Sequence, residues 1–234
     1  MIRVLPFEDR ARAPRTFDTM FEDRKRLFVD LLGWDVPVVD GRLELDAFDT
    51  DGALYVMALD ADGRHQGSLR LLPSDRPHLL GTVFAHLCPL GVPQGSGIYE
   101  ITRLCLPSRL GARCRLAVRN ALISAMVDHA LRAGVTRLTG LVEESFRKHV
   151  LTMGWLAEPL GPAIASDGQL LGAFQLHLDD DTPTRLGWTG IYREGEGPHF
   201  APLPDGSGMI GLLPEEGDDG PEHSGGQGAD EDAR

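Results

Sequence analysis

Residues 116–133, LAVRNALISAMVDHALRA, carry an unbroken helical pattern that ends at Gly134. Leu122, Ile123, Met126, Ala130 and Leu131 form one apolar stripe, which has to be buried against a broad partner surface. Strand-like runs supply that surface: residues 54–59, 67–72 and 98–106 precede the helix, and 136–142 follow it. A second amphipathic helix is predicted over 16–32, with Phe17, Met20, Phe21, Leu27, Phe28 and Leu31 at helical spacings, Arg24 on or beside the apolar face, and Gly33 as its end. Residues 34–51 are rich in Pro, Gly and Asp and have no clear period. A short helix over 145–153 stops at Gly154, and 170–178 reads as a closing strand. This order predicts an α/β fold: a mixed, twisted sheet flanked by helices in a three-layer sandwich.

Charge divides the chain into two parts. The net charge is -12, but residues 194–234 hold eleven acidic residues and one basic one, which leaves only -2 for residues 1–193. From Glu215 the chain reads EEGDDGPEHSGGQGADEDAR, too polar and too rich in Gly to offset the entropy of ordering it. The expectation is one catalytic domain over 1–193 and an acidic, Gly-rich, disordered tail over 194–234. With 42% hydrophobic and 25% charged residues, collagen-like and membrane-spanning readings drop out. Cys88, Cys105 and Cys114 are too few for a disulfide framework, and neither they nor His129, His149 and His177 have metal-ligand spacing, so no metal is expected. A reduced, cytoplasmic setting without a signal peptide follows.

The most informative segment is GIYEITRLCLPSRLGARCRLAVRNAL. Residues 101–127 contain no acid, yet Arg103, Arg109, Arg113, Arg115 and Arg119 fall inside them. Residues 109–115 join a strand to a helix N-terminus, where backbone N–H groups and the helix dipole favour anions and arginine adds forked donors for phosphate. A solvated basic loop is the bland alternative. In this setting the strand, Arg/Gly loop and helix resemble the phosphopantetheine- or pyrophosphate-binding loop of the N-acyltransferase (GNAT-like) fold.

A wider resemblance runs over about residues 20–155. Arg24, Phe28 and Trp34 are spaced R-x3-F-x5-W; Asp46 and Asp49 lie in LELDAFDT; Arg70 lies in GSLRLLP, Phe84 in GTVF, and Glu100 and Arg103 in YEITRL. This ordered set resembles the acyl-homoserine-lactone synthases, the autoinducer synthases of quorum sensing. The resemblance implies S-adenosylmethionine as co-substrate, with no permanently bound cofactor, and an acyl thioester on acyl carrier protein or, failing that, coenzyme A. The amine would attack the thioester to give an amide, and lactone closure would then release methylthioadenosine. Arg24, Phe28, Trp34, Asp46, Asp49 and Arg70 are the implied S-adenosylmethionine-binding set, with Phe28 and Trp34 walling the pocket; the bland alternative for these two is core residues capping the helix.

Glu100 is the candidate base for the amine, and Arg103 its catalytic neighbour, although a strand glutamate beside an arginine can also be a structural ion pair. Strict alternation puts the two on opposite faces, so a shared role requires a β-bulge or the strand's end. Phe84, Met126, Leu141, Val142 and Met153 are candidates for the acyl-chain pocket, although any of them could equally be plain core. A family threonine that favours 3-oxo chains would fall at Gly140 or Val142, which implies an unsubstituted or 3-hydroxy chain. An acidic carrier needs a basic face, and Arg109, Arg113, Arg115, Arg147 and Lys148 are the candidates for carrier or phosphopantetheine binding. Two other readings remain: a generic acyl-coenzyme-A N-acyltransferase, and a non-catalytic small-molecule sensor on the same fold.

Overall fold

The computed structural model describes residues 1–166 and 168–193; the acidic tail expected over 194–234 lies outside the described residues. An eight-stranded sheet runs in the order β1, β4, β5, β6, β7, β10, β8, with β9 also paired to β10. Its strands are β1 (Ile2–Pro6), β4 (Leu54–Leu59), β5 (His65–Pro73), β6 (Ile98–Cys105), β7 (Arg137–Glu143), β8 (Leu156–Pro159), β9 (Ile164–Ser166) and β10 (Gln169–His177). All pairings are antiparallel except β6 with β7, which are joined by the long helix α3 (Ala112–Arg132). The sheet is mixed, as the sequence predicts.

Alternation along the strands sorts side chains onto two faces. Val56, Ala58, Leu69, Leu71, Leu138, Phe174 and Leu176 pack with Leu122, Ile123 and Met126 of α3. The short helices α4 (Glu144–Val150) and α5 (Thr182–Trp188) complete this layer through Val150 and Leu186. On the other face Tyr55, Met57 and Leu72 pack against Phe17, Met20 and Phe21 of α1 (Pro14–Arg24). The short helix α2 (Leu79–Thr82) and the turn Ala85–Leu87 cover the same face further along, with Leu80 and Leu87 against Ala173.

Several expected boundaries shift. The N-terminal helix begins at Pro14, whose fixed φ suits a first turn, and after Arg24 its last part winds as a π-helix, Lys25–Leu31. Within the loop predicted over 34–51 lies a small hairpin of β2 (Val38–Val39) and β3 (Leu43–Glu44). The long helix starts at Ala112, so Arg113 and Arg115 belong to its first turn. β1, α2, β8, β9 and α5 are too short to register as periodic runs.

β6 and β7 pair only from Ile98 with Arg137 to Ile101 with Gly140, although both strands run on. The sheet therefore parts just past Glu100. At that point a Cβ on Gly140 would come within 2.8 Å of the Phe174 ring and 3.2 Å of the Ile101 carbonyl. Gly140→Ala is expected to lower stability by about 1–3 kcal/mol through overpacking, read by urea unfolding. Gly187→Ala, in α5 with open space around it, should instead be neutral or stabilising by up to about 1 kcal/mol.

Candidate functional site

The expected bulge is present in β6. Arg70 of β5 pairs with Thr102, but Ser68 pairs with Cys105, so one extra residue is inserted in β6 between these pairs. Arg103 within it has φ of 52°, a left-handed conformation that a non-glycine side chain adopts at a cost. The gain is that Arg103 joins Glu100 and Thr102 on the α1 face.

There it enters a buried charge network. Arg24, 1% exposed, makes a forked pair with Asp49, Nη1 and Nη2 each 2.9 Å from a carboxylate oxygen, and its Nε donates to Glu44. Arg70 donates to Asp46 at 2.6 and 2.9 Å, to Asp49 at 2.6 Å and to the Thr102 hydroxyl at 3.0 Å. Arg103 binds Glu44 at 3.0 Å and Asp46 at 2.7 Å, and the Tyr55 hydroxyl donates to Asp49 at 2.6 Å. Three cations thus meet three carboxylates. Burial alone would raise the Asp49 pKa, but Arg24 and Arg70 overcome it and hold the carboxyl well below its usual range.

The π-helix shapes the aromatic part of the site. Its wide turn ends with the Trp34 N–H donating to the Phe28 carbonyl at 2.8 Å, and the two rings stack with centroids 4.8 Å apart and 11° between planes. The Arg103 guanidinium lies 5.5 Å from the Phe28 centroid and 5.9 Å from that of Trp34, within cation–π range. Phe28 is buried and Trp34 half-buried.

Glu100 belongs to a different environment. It is fully buried, and its two oxygens accept from the Leu79 and Leu80 N–H groups at the start of α2, each at 2.8 Å. Burial pushes its pKa up to about 7, against the pull of those N–H groups and of Arg70, with Asp46 adding to the rise. Glu100 makes no ion pair with Arg103, whose carboxylate partners are Glu44 and Asp46.

The remaining candidates separate. Phe84 and Leu141 pack in the apolar cluster under α2, on the Glu100 face, with Leu80, Leu87 and Ala173. Met126, Val142 and Met153 belong to the α3 side of the sheet, so the five do not converge on one pocket; strand alternation turns Leu141 and Val142 to opposite faces. Arg113 and Lys148 are exposed and Arg115 half-buried. Arg109 is half-exposed but held by Asp23 and the His65 carbonyl. Arg147 is a correction: it is buried against Gly172, pairs with Glu144 at 2.6 Å and donates to the Gly161 carbonyl at 2.9 Å, so it is not part of a docking face.

Sequence reasoning missed Glu44, Tyr55 and Thr102. Glu44 was legible in principle, since it stands two residues before Asp46 in LELDAFDT and such spacing can put both on one side of an extended segment. It also missed a second buried group, in which His65 lies 2.8 Å from Asp23 and 2.9 Å from the Ser68 hydroxyl. Burial lowers the His65 pKa in spite of Asp23. Those residues are 42 and 3 positions apart from His65 and carry no shared motif. Among the described residues no group of three His, Cys, Asp or Glu side chains is placed to hold a metal ion, and no helix is long and apolar enough to cross a membrane.

Known proteins share this arrangement of chain and fold. An acyl-homoserine-lactone synthase of Ralstonia nicotianae is 37% identical over 186 residues, spanning 76% of this chain and 91% of its own. The solved structure of MesI, described as a CoA-dependent acyl-homoserine lactone synthase, superposes with a TM-score of 0.74 at 24% identity, covering 84% of this chain and 98% of that one. A solved N-acetyltransferase, described as putative, from Lactobacillus plantarum shares the fold more loosely, with a TM-score of 0.52 at 17% identity over 76% of this chain and 99% of that one. With residues 8–186 matching the autoinducer synthase family model, the chain belongs to that family of acyltransferases, the acyl-homoserine-lactone synthases.

Proposed function

We propose that this protein transfers an acyl group from the thioester of acyl carrier protein to the amine of S-adenosylmethionine, and then closes the lactone with release of methylthioadenosine. The observation that carries this reading is Glu100, a buried carboxyl ionising near neutrality where β6 and β7 part. Such a group can take a proton from an ammonium and yield a nucleophilic amine at neutral pH. A carboxylate locked in an ion pair would be a weaker base, and Glu100 is held by backbone N–H groups instead.

The charge network divides the work of binding the co-substrate. Arg24, Arg70 and Asp49 are saturated by one another and by Glu44, Asp46, Thr102 and Tyr55, so their part is to hold the pocket's shape. Trp34 is half-buried at the rim, and behind it Arg103 and Asp46 are paired with each other, their side chains 8% and 9% exposed. An aromatic face and a carboxylate both attract a sulfonium cation. In the second step the substrate's own carboxylate attacks the carbon next to sulfur; the pocket contributes by holding the chain folded so that the two atoms meet.

The donor side lies at the start of α3. Arg113 and Arg115 stand in its first turn, where cations oppose the helix dipole unless an anion arrives. A phosphopantetheine phosphate suits that position. Exposed Arg113 and Lys148 favour an acidic carrier, whereas the solved relative MesI is described as CoA-dependent.

Three measurements test the reading. Incubation with S-adenosylmethionine and acyl thioesters should yield free thiol and methylthioadenosine in equal amounts; thiol without methylthioadenosine would leave only a generic N-acyltransferase. Glu100→Gln, which keeps one acceptor for α2 and leaves one of its N–H groups unpaired at a cost of about 1–3 kcal/mol, should still fold but lower kcat by about 10²–10⁴-fold, and wild-type kcat/KM should rise as pH climbs through about 7 because the base works only when ionised. Survival of most activity in the variant would remove Glu100 from the base role. The double variant Arg113→Glu/Lys148→Glu should raise KM for acyl carrier protein, as should added salt; an unmoved KM would count against carrier docking there.

A further inference from the structure

Row by row across the sheet, Glu100 of β6 lies beside Thr139 of β7, and Thr139 lies beside Gln175 of β10. Side-by-side partners project from the same face of a sheet, with neighbouring strands about 4.8 Å apart. Thr139 is fully buried, and its hydroxyl has no hydrogen-bond partner. Valine would fill the same volume without stranding a polar atom. Buried polar groups are almost always satisfied, and one that is not calls for a reason at its site. The position supplies one, because one residue further on, at Ile101 and Gly140, the pairing of β6 and β7 ends and the sheet opens.

We propose that Thr139 is a catalytic residue: its hydroxyl donates a hydrogen bond to the thioester carbonyl oxygen as that oxygen becomes an oxyanion. The inference rests on the acyl-transfer reading above and deepens it. The neutral amine of S-adenosylmethionine forms a bond to the carbonyl carbon while the C=O π pair moves onto oxygen. Thr139 stabilises that charge without giving up its proton. When the C=O bond re-forms, the C–S bond breaks; Glu100 hands the proton it took from the ammonium to the departing thiolate and, ionised again, takes the second proton that the nitrogen loses as the amide forms. Glu100 and Thr139, on adjacent strands, would thus serve the nitrogen and the oxygen of one tetrahedral centre. A donor held in a dry site needs no reorganisation as charge develops, which is where such hydrogen bonds are most effective.

Gln175 offers the competing assignment. Its Nε2 donates to Glu158 at 3.1 Å, and its Oε1 is unpartnered and buried, so it could be simply the structural acceptor for the Thr139 hydroxyl. The two assignments separate in kinetics. With a straight-chain acyl thioester that has no substituent at the third carbon, Thr139→Val should lower kcat by about 10²–10³-fold, the loss expected for one oxyanion donor, with KM within about twofold, while Thr139→Ser retains most of the rate. Gln175→Leu should leave the kcat of the Thr139-containing enzyme within about twofold. A Thr139→Val enzyme with wild-type kcat overturns the proposal, as does one that loses Tm alone, which would mark a structural pair with Gln175. If Thr139→Val does not fold, Thr139→Ala in the same assay carries the same two outcomes. Should the wild-type enzyme release no methylthioadenosine, the synthase reading fails first; release by wild type with an unaffected Val variant fails this inference alone.

Discussion

Three guanidinium groups and three carboxylates, on elements as distant in sequence as Arg24 and Arg103, are buried together between α1 and the sheet. Taking these charges out of water is costly, and a set like this is weak as a source of net stability; removing one member, however, leaves a partner buried and unpaired, at about 3–5 kcal/mol. The network therefore acts as a specification. This placement of α1, the β3 hairpin, β5 and β6 pairs all three guanidinium groups, and it assembles the walls of the site.

The two irregular pieces of backbone serve the same end. A regular strand would turn Arg103 toward α3, among Leu104 and the apolar cluster there; the bulge and its left-handed residue bring it to the acids instead. A regular α-helix would carry on past Arg24 at 3.6 residues per turn, whereas the π-turn brings Phe28 and Trp34 into a stack beside Arg103. Bulges and π-turns recur near active sites because they re-aim side chains without dismantling the element. Glu100, three residues before the strained position, remains outside the ion pairs, and burial can act on its ionisation.

Helices and strands with long periodic patterns were legible from the residues: α3, the central strands and the placement of Arg24 on an apolar helix face all follow from spacing. Glu100, Arg103, Asp46, Asp49 and Arg70 could be picked out by the motifs around them. The β1 strand, α2 and the β2–β3 hairpin could not, since each is too short for periodicity to distinguish it from a loop. α2 matters most, because its first N–H groups hold the Glu100 carboxyl.

Local pattern was enough for the class of fold and the inventory of charged groups, because helix and strand periods and the burial of apolar stripes are short-range rules. Which charges pair was decided in three dimensions. Glu44 links Arg24, 20 positions before it, to Arg103, 59 positions after it; Arg147 folds inward onto Gly172 instead of facing a partner, and Leu141 and Val142 part to opposite sides of one strand. Such outcomes depend on register and on a single inserted residue, and a one-residue slip reverses every side chain beyond it. The sequence names the chemical groups; the bulge in β6 and the parting of β6 from β7 select the ones that meet.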